Sequence, residues 1–365
     1  MMLFSDRPKT NLSELYNMEK EVKALVNALE KGSAIVLILG LRRLGKTSLL
    51  RSVLNSLGKP SLIFDLRSFE GLKHIPGVRL ATLLEEGLNA FISKQEGFLK
   101  VLKKIKGVEV IGLRVSVAAG KSRNLLPELL EKVNDWAREK GEKVVMAFDE
   151  AQLLSGSRID FSTLLAHAYD YLDYLQFVLT GSEAGLLYDF LKMEDPESPL
   201  YGRYVEEIHL NRLNAERSIE FLRLGFKEAG LEVKQEDLEN AVEKLDGIIG
   251  WLSYYGLVSV SMGEAGEKAL EATINKASKI AELEISRLLK KLNSDKYITI
   301  LKALSTSPLQ WAEVKNVLIA KHGVAYDRNV SNLLSKLVKT GLVEKENGLY
   351  KIADPIYRYA LRRMR

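Results

Sequence analysis

A hydrophobic strand that leads directly into a glycine-rich loop and an apolar helix constrains the fold of this chain more than any other segment. The strand is AIVLILG at 34–40, and LRRLGKTSLL at 41–50 supplies the loop and the start of the helix. The pattern G-x-x-x-x-G-K-T, from Gly40 to Thr47, is typical of a P-loop, whose glycines let successive backbone N–H groups converge on phosphate oxygens. The helix N-terminus that follows favours a bound anion. The segment therefore predicts a phosphate-binding site in an α/β fold.

The side chains at the end of this loop predict a nucleotide bound with magnesium. In a P-loop the lysine, here Lys46, reaches the β- and γ-phosphates, and the hydroxyl of the next residue, Thr47, is a ligand of Mg²⁺. The whole loop is expected to wrap around the phosphates. The residues predicted to bind the nucleotide are Gly40, Leu41, Arg42, Arg43, Leu44, Gly45, Lys46, Thr47 and Ser48.

An acidic pair at the end of a second apolar strand extends the prediction from binding to hydrolysis. The run VVMAFDEAQ at 144–152 is typical of a strand buried on both faces of a sheet, with its end at the ligand crevice. We assign Asp149 to the magnesium shell and Glu150 to the polarisation of an attacking water. Phosphoryl transfer needs little covalent chemistry, so charge neutralisation by Lys46 and one positioned base account for most of the catalysis.

Composition limits the class of protein. The chain has 365 residues, 46% hydrophobic and 28% charged, which is typical of a globular protein with two or three domains. It contains no cysteine, and its four histidines are scattered, so disulfides are excluded and Mg²⁺ is the only metal expected. No apolar run is long enough for a membrane span, and MMLFSDRPKT does not resemble a signal peptide, so we expect a cytoplasmic protein that does not contact membranes.

Strands alternate with helices from the N-terminus to about residue 212. This alternation predicts parallel strands with right-handed crossovers, hence a three-layer α/β domain. A basic insertion at 98–123 contains GVEVIGLRVSVAAGK, which predicts a small hairpin at the sheet edge. The hairpin is either a decoration of the fold or a contact arm.

Three further residues are candidates for the catalytic machinery, each with a structural alternative. Thr180 and Ser182 lie at the end of the strand QFVLTGS, where they either position the attacking water or cap the next helix. Arg203, in SPLYGRYVEEI, is either an arginine finger on the γ-phosphate, in cis or across a subunit interface, or a surface ion-pair partner.

A helical segment follows at 214–292 and is suited to a lid over the nucleotide. Within it, Gly247 and Gly250 flank two isoleucines. They either let the backbone approach an adenine ring or only serve the entry of a helix.

The last seventy residues predict a basic winged helix-turn-helix. From Lys290 to Arg365 there are 15 Lys and Arg against 6 Asp and Glu, whereas the whole chain has a net charge of +5. Helices are expected at 297–305, 310–321 and 327–340, and Asn347-Gly348 between alternating residues predicts a hairpin wing. The third helix carries a polar and basic face suited to DNA, whereas acidic residues in the wing would repel phosphates and favour a protein partner. The polar face comprises Arg328, Asn329, Asn332, Ser335, Lys336 and Lys339.

Taken together, the segments GLRRLGKT, FDEAQ, LTGS, PLYGR and IADPIYRY resemble the archaeal ATPase family within the STAND branch of the AAA+ P-loop NTPases. The entry segment YNMEKEVKAL is also similar, with Met18 where that class usually has arginine. Two motifs depart from the pattern, since DGIIGW lacks the usual proline and TGS lacks the arginine that many members carry after this strand.

The resemblance implies a five-stranded parallel core in the order 5-1-4-3-2, followed by a helical lid and a winged helix. We accordingly divide the chain into a P-loop ATPase core at 1–212, a lid at 213–292 and a winged-helix domain at 293–365. The leading hypothesis is a slow, magnesium-dependent ATPase in which ATP and ADP control the position of the lid and the winged helix. The alternative is an ATP-licensed DNA-binding regulator, similar to a replication initiator, with little turnover. DNA, a protein partner and a second copy of the chain are the candidate macromolecular partners.

Overall fold

A parallel sheet between layers of helices forms the first part of the chain in the computed structural model, which describes residues 3–112, 114–118 and 122–364. The strands, in chain order, are β1 (Ile35–Leu39), β2 (Ser61–Asp65), β3 (Val108–Ile111), β4 (Arg114–Val117), β5 (Val144–Asp149), β6 (Leu175–Gly181), β7 (Glu206–His209), β8 (Leu309–Gln310), β9 (Val343–Glu346) and β10 (Leu349–Ile352). The helices are α1 (Glu19–Lys31), α2 (Lys46–Leu57), α3 (Gly77–Ile92), α4 (Leu99–Leu102), α5 (Ser122–Lys140), α6 (Phe161–Tyr171), α7 (Ala184–Leu191), α8 (Ala215–Ala229), α9 (Gln235–Leu245), α10 (Ile249–Met262), α11 (Glu267–Leu292), α12 (Asp295–Thr306), α13 (Trp311–His322), α14 (Asp327–Lys339) and α15 (Pro355–Arg363). Within the described ranges, none of these helices is long and apolar enough to cross a lipid bilayer.

The central sheet has the predicted strand order. It runs β7-β1-β6-β5-β2, and each neighbouring pair is parallel. Side chains of β1 alternate between two hydrophobic clusters, with Val36 and Ile38 in one and Ile35 and Leu37 in the other. This burial on both faces explains why β1 is a continuous apolar run. The carboxyl ends of all five strands lie along one edge, which is where ligands bind in such sheets.

The predicted hairpin in the insertion is present as β3 and β4, which pair antiparallel. It lies on α3 and forms a separate two-stranded sheet instead of extending the central one. The Asn89 side chain both donates to and accepts from the backbone of Val115, at 3.1 and 2.8 Å, and Glu85 accepts from the Val117 N–H. Helix side chains thus take the place of a third strand along β4. Leu113 and positions 119–121 of this segment lie outside the described residues.

The N-terminal segment, residues 3–17, joins the helices α8–α11, here called the lid helices, to the core. Phe4 is buried between α8 and α10, where a Cβ atom at Gly225 or Gly256 would come within 2.4 Å of its ring. Further along, the backbone N–H of Lys9 donates to the Ser48 hydroxyl on α2 at 3.0 Å. The segment therefore spans the cleft between the lid helices and the P-loop helix.

The end of the chain is a winged helix with one helix more than predicted. Helices α12 to α14 and the hairpin of β9 and β10 match the expected elements, and Asn347 and Gly348 adopt φ angles of 49° and 82° in the predicted two-residue turn. The short strand β8, which was not predicted, pairs with β10 as a third strand. The additional helix, α15, begins at a proline after Asp354, which caps it by accepting from the Ile356 N–H. It packs against α11 and α12.

The winged helix rests directly on the core. Lys339, in the last turn of α14, forms an ion pair of 2.5 Å with Asp189 on α7, and a Cβ atom at Gly185 would lie only 2.7 Å from the Lys339 Cα. Arg212, after β7, donates to the carbonyl of Ala353 at 2.5 Å and to Glu344 at 3.1 Å. The carboxyl-terminal end of α14 is consequently occupied by a contact within the chain.

Candidate active site

The loop after β1 has the backbone that the P-loop pattern requires. Gly40 adopts a φ of 147°, and a Cβ atom there would lie 2.6 Å from the carbonyl oxygen of Leu210. Gly45 adopts a φ of 96°, and a Cβ atom there would lie 2.5 Å from the Met18 side chain. Only glycine fits either position. Helix α2 starts at Lys46, so its first backbone N–H groups, which lack partners within the helix, face the loop.

Lys46 is almost completely buried, with 4% of its surface exposed. Its ammonium group donates to the carbonyls of Gly40 and Leu41, each at 2.8 Å, and lies 4.0 Å from Oε1 of Glu150. Burial lowers the pKa of Lys46, while the nearby Glu150 and Asp149 oppose that shift. The cation is therefore held in the mouth of the loop beside the acidic pair.

The two residues assigned to magnesium lie together. The Thr47 hydroxyl donates to Oδ2 of Asp149 at 2.7 Å, and Asp149 is buried at the end of β5. Burial raises the pKa of Asp149, although hydrogen bonds from Thr180 and Thr47 oppose the shift. A hydroxyl and a carboxylate side by side suit Mg²⁺, which takes oxygen ligands and usually one or two carboxylates plus phosphates. Among the described residues no group of three or more acidic, histidine or cysteine side chains could hold a metal.

Glu150 is held tightly by neighbours at the edge of the sheet. Oε2 accepts from the Ser182 hydroxyl at 2.6 Å, from the Ser182 N–H at 3.0 Å and from the Gln152 amide at 2.7 Å. Its backbone has a φ of 62°, a left-handed conformation that is strained for a non-glycine residue. Burial disfavours its charge, yet Lys46 and the hydrogen bonds from Ser182 and Gln152 outweigh burial and lower the pKa of Glu150. Its neighbours therefore favour the charged form of the carboxylate.

Thr180 and Ser182 organise the acidic pair instead of capping the next helix. The Thr180 hydroxyl donates to Oδ1 of Asp149 at 2.6 Å and accepts from the backbone N–H of Glu150 at 2.9 Å. Ser182 holds the Glu150 carboxylate, and helix α7 begins without a side-chain cap. Their contacts to a water molecule stay a prediction, whereas their contacts to the two acids are direct.

The two P-loop arginines point toward the lid helices. Arg43 donates to both carboxylate oxygens of Glu284 on α11, at 2.6 and 3.2 Å, and its guanidinium lies 4.0 Å from the ring centroid of Trp251 on α10. Arg42 pairs with Glu70 at 2.7 Å and lies 3.8 Å from Glu284. The P-loop is thereby bonded to the lid through charged side chains.

The same junction includes the winged helix. The Tyr357 hydroxyl on α15 donates to Glu284 at 2.7 Å, and the indole N–H of Trp251 donates to both oxygens of Asp354, at 3.0 and 2.9 Å. Glu284 therefore contacts the P-loop through Arg43 and the winged helix through Tyr357. We call Arg42, Arg43, Trp251, Glu284, Asp354 and Tyr357 the junction.

Gly250 approaches the P-loop backbone. Its N–H donates to the carbonyl of Arg43 at 2.9 Å, and a Cβ atom there would lie 2.6 Å from the Arg43 Cβ. Gly247 makes a similar approach, since a Cβ atom there would lie 2.0 Å from the carbonyl oxygen of Leu213. Both glycines thus serve close contacts between segments of the chain, and the contact with adenine stays a prediction.

Arg203 does not lie at the P-loop of its own chain. Its guanidinium donates to Asp170 at 2.6 and 3.1 Å and lies 5.9 Å from the ring centroid of Tyr169. It precedes β7 by three residues, at the amino edge of the parallel sheet, whereas the P-loop follows β1 at the carboxyl edge. A finger acting in cis is therefore inconsistent with the fold. The surface ion pair is what the structure contains, and a role across a subunit interface stays a prediction.

Arg67, which follows β2, is a second cation at the site. It pairs with both oxygens of Asp65, and Asp65 lies in register with Asp149 on the neighbouring strand. Arg67 lines a cavity of about 520 Å³ together with Lys46, Thr47 and Glu150. Other walls of this cavity come from the N-terminal segment and the lid helices, and include Tyr16, Phe221, Trp251, Tyr254 and Leu257. The cavity thus combines a charged end at the P-loop with an aromatic end, as a nucleotide would require.

Comparison with known families agrees with this geometry. The family model described as an ATPase domain predominantly from Archaea matches residues 15–254. The chain belongs to this archaeal ATPase family. A second model, of the MCM protein C-terminal winged helix-turn-helix domain, matches residues 291–353.

Solved structures show the same fold for this family member. The Walker-type ATPase paby2304 of Pyrococcus abyssi is 36% identical, with 99% of this chain and 100% of that chain covered and a TM-score of 0.82. The ORC2 protein of Aeropyrum pernix, in ADPNP-ADP complexes, is 14% identical, with 98% and 95% covered and a TM-score of 0.58. A comparison with curated protein sequences gives no match.

Sequence reasoning missed part of the candidate site. It found no second cation in the core, although Arg67 comes two residues after a strand that neighbours the acidic one, and that position could have indicated it. Glu284 lies in a long charged helix, where nothing in the local pattern separates it from solvated glutamates. Only the packing of α11 against the P-loop and α15 identifies it.

Proposed function

We propose that this member of the archaeal ATPase family binds ATP with Mg²⁺ and hydrolyses it to ADP and phosphate, and that the bound nucleotide controls the position of the lid helices and the winged helix. One observation carries the proposal. The loop that would hold the phosphates also carries Arg42 and Arg43, whose side chains pair with Glu284 of the lid helices. Glu284 also accepts a hydrogen bond from Tyr357 of the winged helix. A change in the loop on binding phosphate cannot leave those bonds unaffected.

The side chains at the sheet edge support hydrolysis. Thr47 and Asp149 would hold Mg²⁺, which would neutralise phosphate charge when bound. Lys46 would donate to the β- and γ-phosphates in place of its present carbonyl partners. Glu150 is the base that would orient an attacking water, after exchanging one of its hydrogen bonds with Ser182 or Gln152.

The junction supports the control of conformation. Arg43 contacts Glu284 and Trp251 at once, and both of these contact the winged helix, through Tyr357 and Asp354. We infer that the core at 1–212, the lid at 213–292 and the winged helix at 293–365 move relative to one another when these contacts change. The ORC2 relative of similar fold, solved with ADPNP and ADP, supports adenine nucleotides as the ligands.

Calorimetry and turnover measurements on three variants test the proposal. Lys46→Ala and Thr47→Ala should lose tight binding of ATP with Mg²⁺, because each removes a group that contacts the phosphates or the ion. Glu150→Gln should bind ATP as the wild type does and lose turnover, because it keeps the size of the base and removes its charge. Wild-type affinity in Lys46→Ala, or wild-type turnover in Glu150→Gln, would contradict these roles.

A second candidate function, ATP-licensed DNA binding, is favoured by the exposed first half of α14. Arg328, Asn329 and Asn332 all point to solvent there, while the last turn is held against α7 by Lys339. Polar and basic side chains at the start of a third helix suit contacts to DNA bases and phosphates. Duplex binding should then fall steeply with salt. A gel-shift assay with and without ATP separates the two functions, since a switch without DNA binding shows no shift in either condition.

A further inference from the structure

We infer that Arg67 is a catalytic residue that acts in cis, with its guanidinium donating to the γ-phosphoryl oxygens of ATP during hydrolysis. The inference rests on the proposed function, and it assigns to the chain's own core the second cation that phosphoryl transfer requires.

The position of Arg67 is fixed on both sides by contacts to the site. Asp65, at the end of β2, is in register with Asp149 at the end of β5. On the other side, Glu70 forms an ion pair of 2.7 Å with Arg42 of the P-loop. The short turn between them is anchored by Leu66 and Phe69, which are 0% and 1% exposed. Arg67 is thus carried on a rigid turn between the acidic strand and the P-loop.

Asp65 holds the Arg67 side chain in place and leaves some of its N–H donors free for a ligand. Both its Nε and a terminal nitrogen donate to Asp65, which fixes the plane of the guanidinium. The side chain is still 49% exposed, and it borders the same cavity as Lys46, Thr47 and Glu150. A guanidinium has five N–H donors, so donors remain for a phosphoryl group.

The two other arginines of the site, Arg42 and Arg43, are paired with several glutamates. Arg43 is bonded to Glu284 and stacked on Trp251, and Arg42 is surrounded by Glu70, Glu183 and Glu284 within 3.8 Å. Arg67 has a carboxylate partner on its own turn, and its hydrogen bond to Asp65, with the negative charges of Asp65, Asp149 and Glu150, raises its pKa.

The chemical step defines what Arg67 would do. A water oxygen bonds to the γ-phosphorus, the bond from phosphorus to the β,γ-bridging oxygen breaks with its electron pair remaining on ADP, and the water proton passes to the Glu150 carboxylate. The transferring group then carries charge spread over its three equatorial oxygens, and a preorganised cation that donates to them lowers the barrier. Arg67 would make its strongest hydrogen bonds at that point and weaker ones to bound ATP or ADP.

The test compares Arg67→Ala with Arg217→Ala, a control whose side chain is 50% exposed and paired with Glu220 on α8. By analogy with arginine fingers, Arg67→Ala should reduce kcat by roughly 10³-fold or more, with its affinity for ADP nearly unchanged. Its affinity for MgADP with aluminium fluoride, which mimics the transferring phosphoryl group, should fall as well. Arg217→Ala should match the wild type in all three measurements.

Two additional measurements test whether the guanidinium group itself is required. Arg67→Lys preserves charge without the planar fork and should retain more aluminium fluoride binding than Arg67→Ala. Added guanidinium ion should restore part of the turnover of Arg67→Ala. If Arg67→Ala hydrolyses ATP within threefold of the wild type and binds aluminium fluoride equally well, the inference is wrong while the proposed function stands. A wild type that binds ATP and never hydrolyses it would instead contradict the proposed function.

Discussion

Replacing Glu284 with glutamine should loosen the contact between the P-loop and the winged helix. Glu284 accepts two hydrogen bonds from Arg43 and one from Tyr357, at 2.6, 3.2 and 2.7 Å. Its side chain is 15% exposed, so solvent screens these bonds only weakly. Glutamine keeps the shape and one acceptor, but it removes the negative charge from beside two arginines.

The size of the effect follows from the buried ion pair. Breaking a buried pair by removing one partner costs about 3–5 kcal/mol, and glutamine retains part of the hydrogen bonding, so we expect a loss of about 3 kcal/mol in the free energy of unfolding. Tyr357→Phe removes one hydrogen bond to a charged acceptor and should cost about 1.5–3 kcal/mol. Because both changes act on one carboxylate, the double variant should lose less than the sum of the two.

Urea unfolding of the full chain measures these losses. Glu271→Gln is a matched control on the same helix, since Glu271 is exposed, and it should change stability by less than about 0.5 kcal/mol. A loss below about 1 kcal/mol for Glu284→Gln, or strict additivity with Tyr357→Phe, would show that Glu284 does not join the two parts.

Two further predictions concern pH and the opposite edge of the sheet. Burial opposes ionisation of Glu284, but Arg43, Arg42 and Tyr357 outweigh it and lower its pKa below the usual 4.5. Its contribution is therefore fully present above that pH and is lost as pH falls through the lowered pKa, so unfolding between pH 5 and pH 3 should be less pH-dependent in Glu284→Gln than in the wild type. Arg203→Ala should hydrolyse ATP at the wild-type rate at all protein concentrations if Arg203 only pairs with Asp170; a rate that falls by roughly 10³-fold and is partly restored by mixing with Glu150→Gln would indicate a finger in trans.

Local patterns predicted the elements that have a strong period or a fixed backbone requirement. The P-loop strand, the acidic strand and the wing turn at Asn347-Gly348 all occur where predicted. A strand buried on both faces has a continuous apolar sequence, and a turn with positive φ angles favours asparagine and glycine, so both can be recognised from the sequence. Helix α15 was not predicted, although Asp354 and Pro355 mark its start in the sequence. A helix this short also depends on packing, here against α11 and α12.

The candidate site was predictable where it lies close in sequence and not where it depends on tertiary contacts. Thr47 and Asp149 meet because both follow central strands of a parallel sheet, and that juxtaposition follows from topology. Of the alternatives for Arg203, the structure contains the surface ion pair with Asp170. A loop before a parallel strand lies at the amino edge of the sheet, so strand direction alone argues against a role in cis. The junction joins residues more than 200 positions apart, from Arg43 to Glu284, and no local period records such a pairing.

The contact of Trp251 with Arg43 and Asp354 gives the protein an intrinsic optical reporter. An indole ring with a guanidinium 4.0 Å from its centroid and a carboxylate on its N–H has an emission that depends on both charges. The other two tryptophans lie elsewhere, with Trp136 packed between Phe91 and Phe98 and Trp311 bonded to Ser331 in the winged helix. Replacing Trp136 and Trp311 by phenylalanine would leave one fluorophore at the meeting point of P-loop, lid and winged helix. Stopped-flow fluorescence could then follow the coupling in real time without any attached dye.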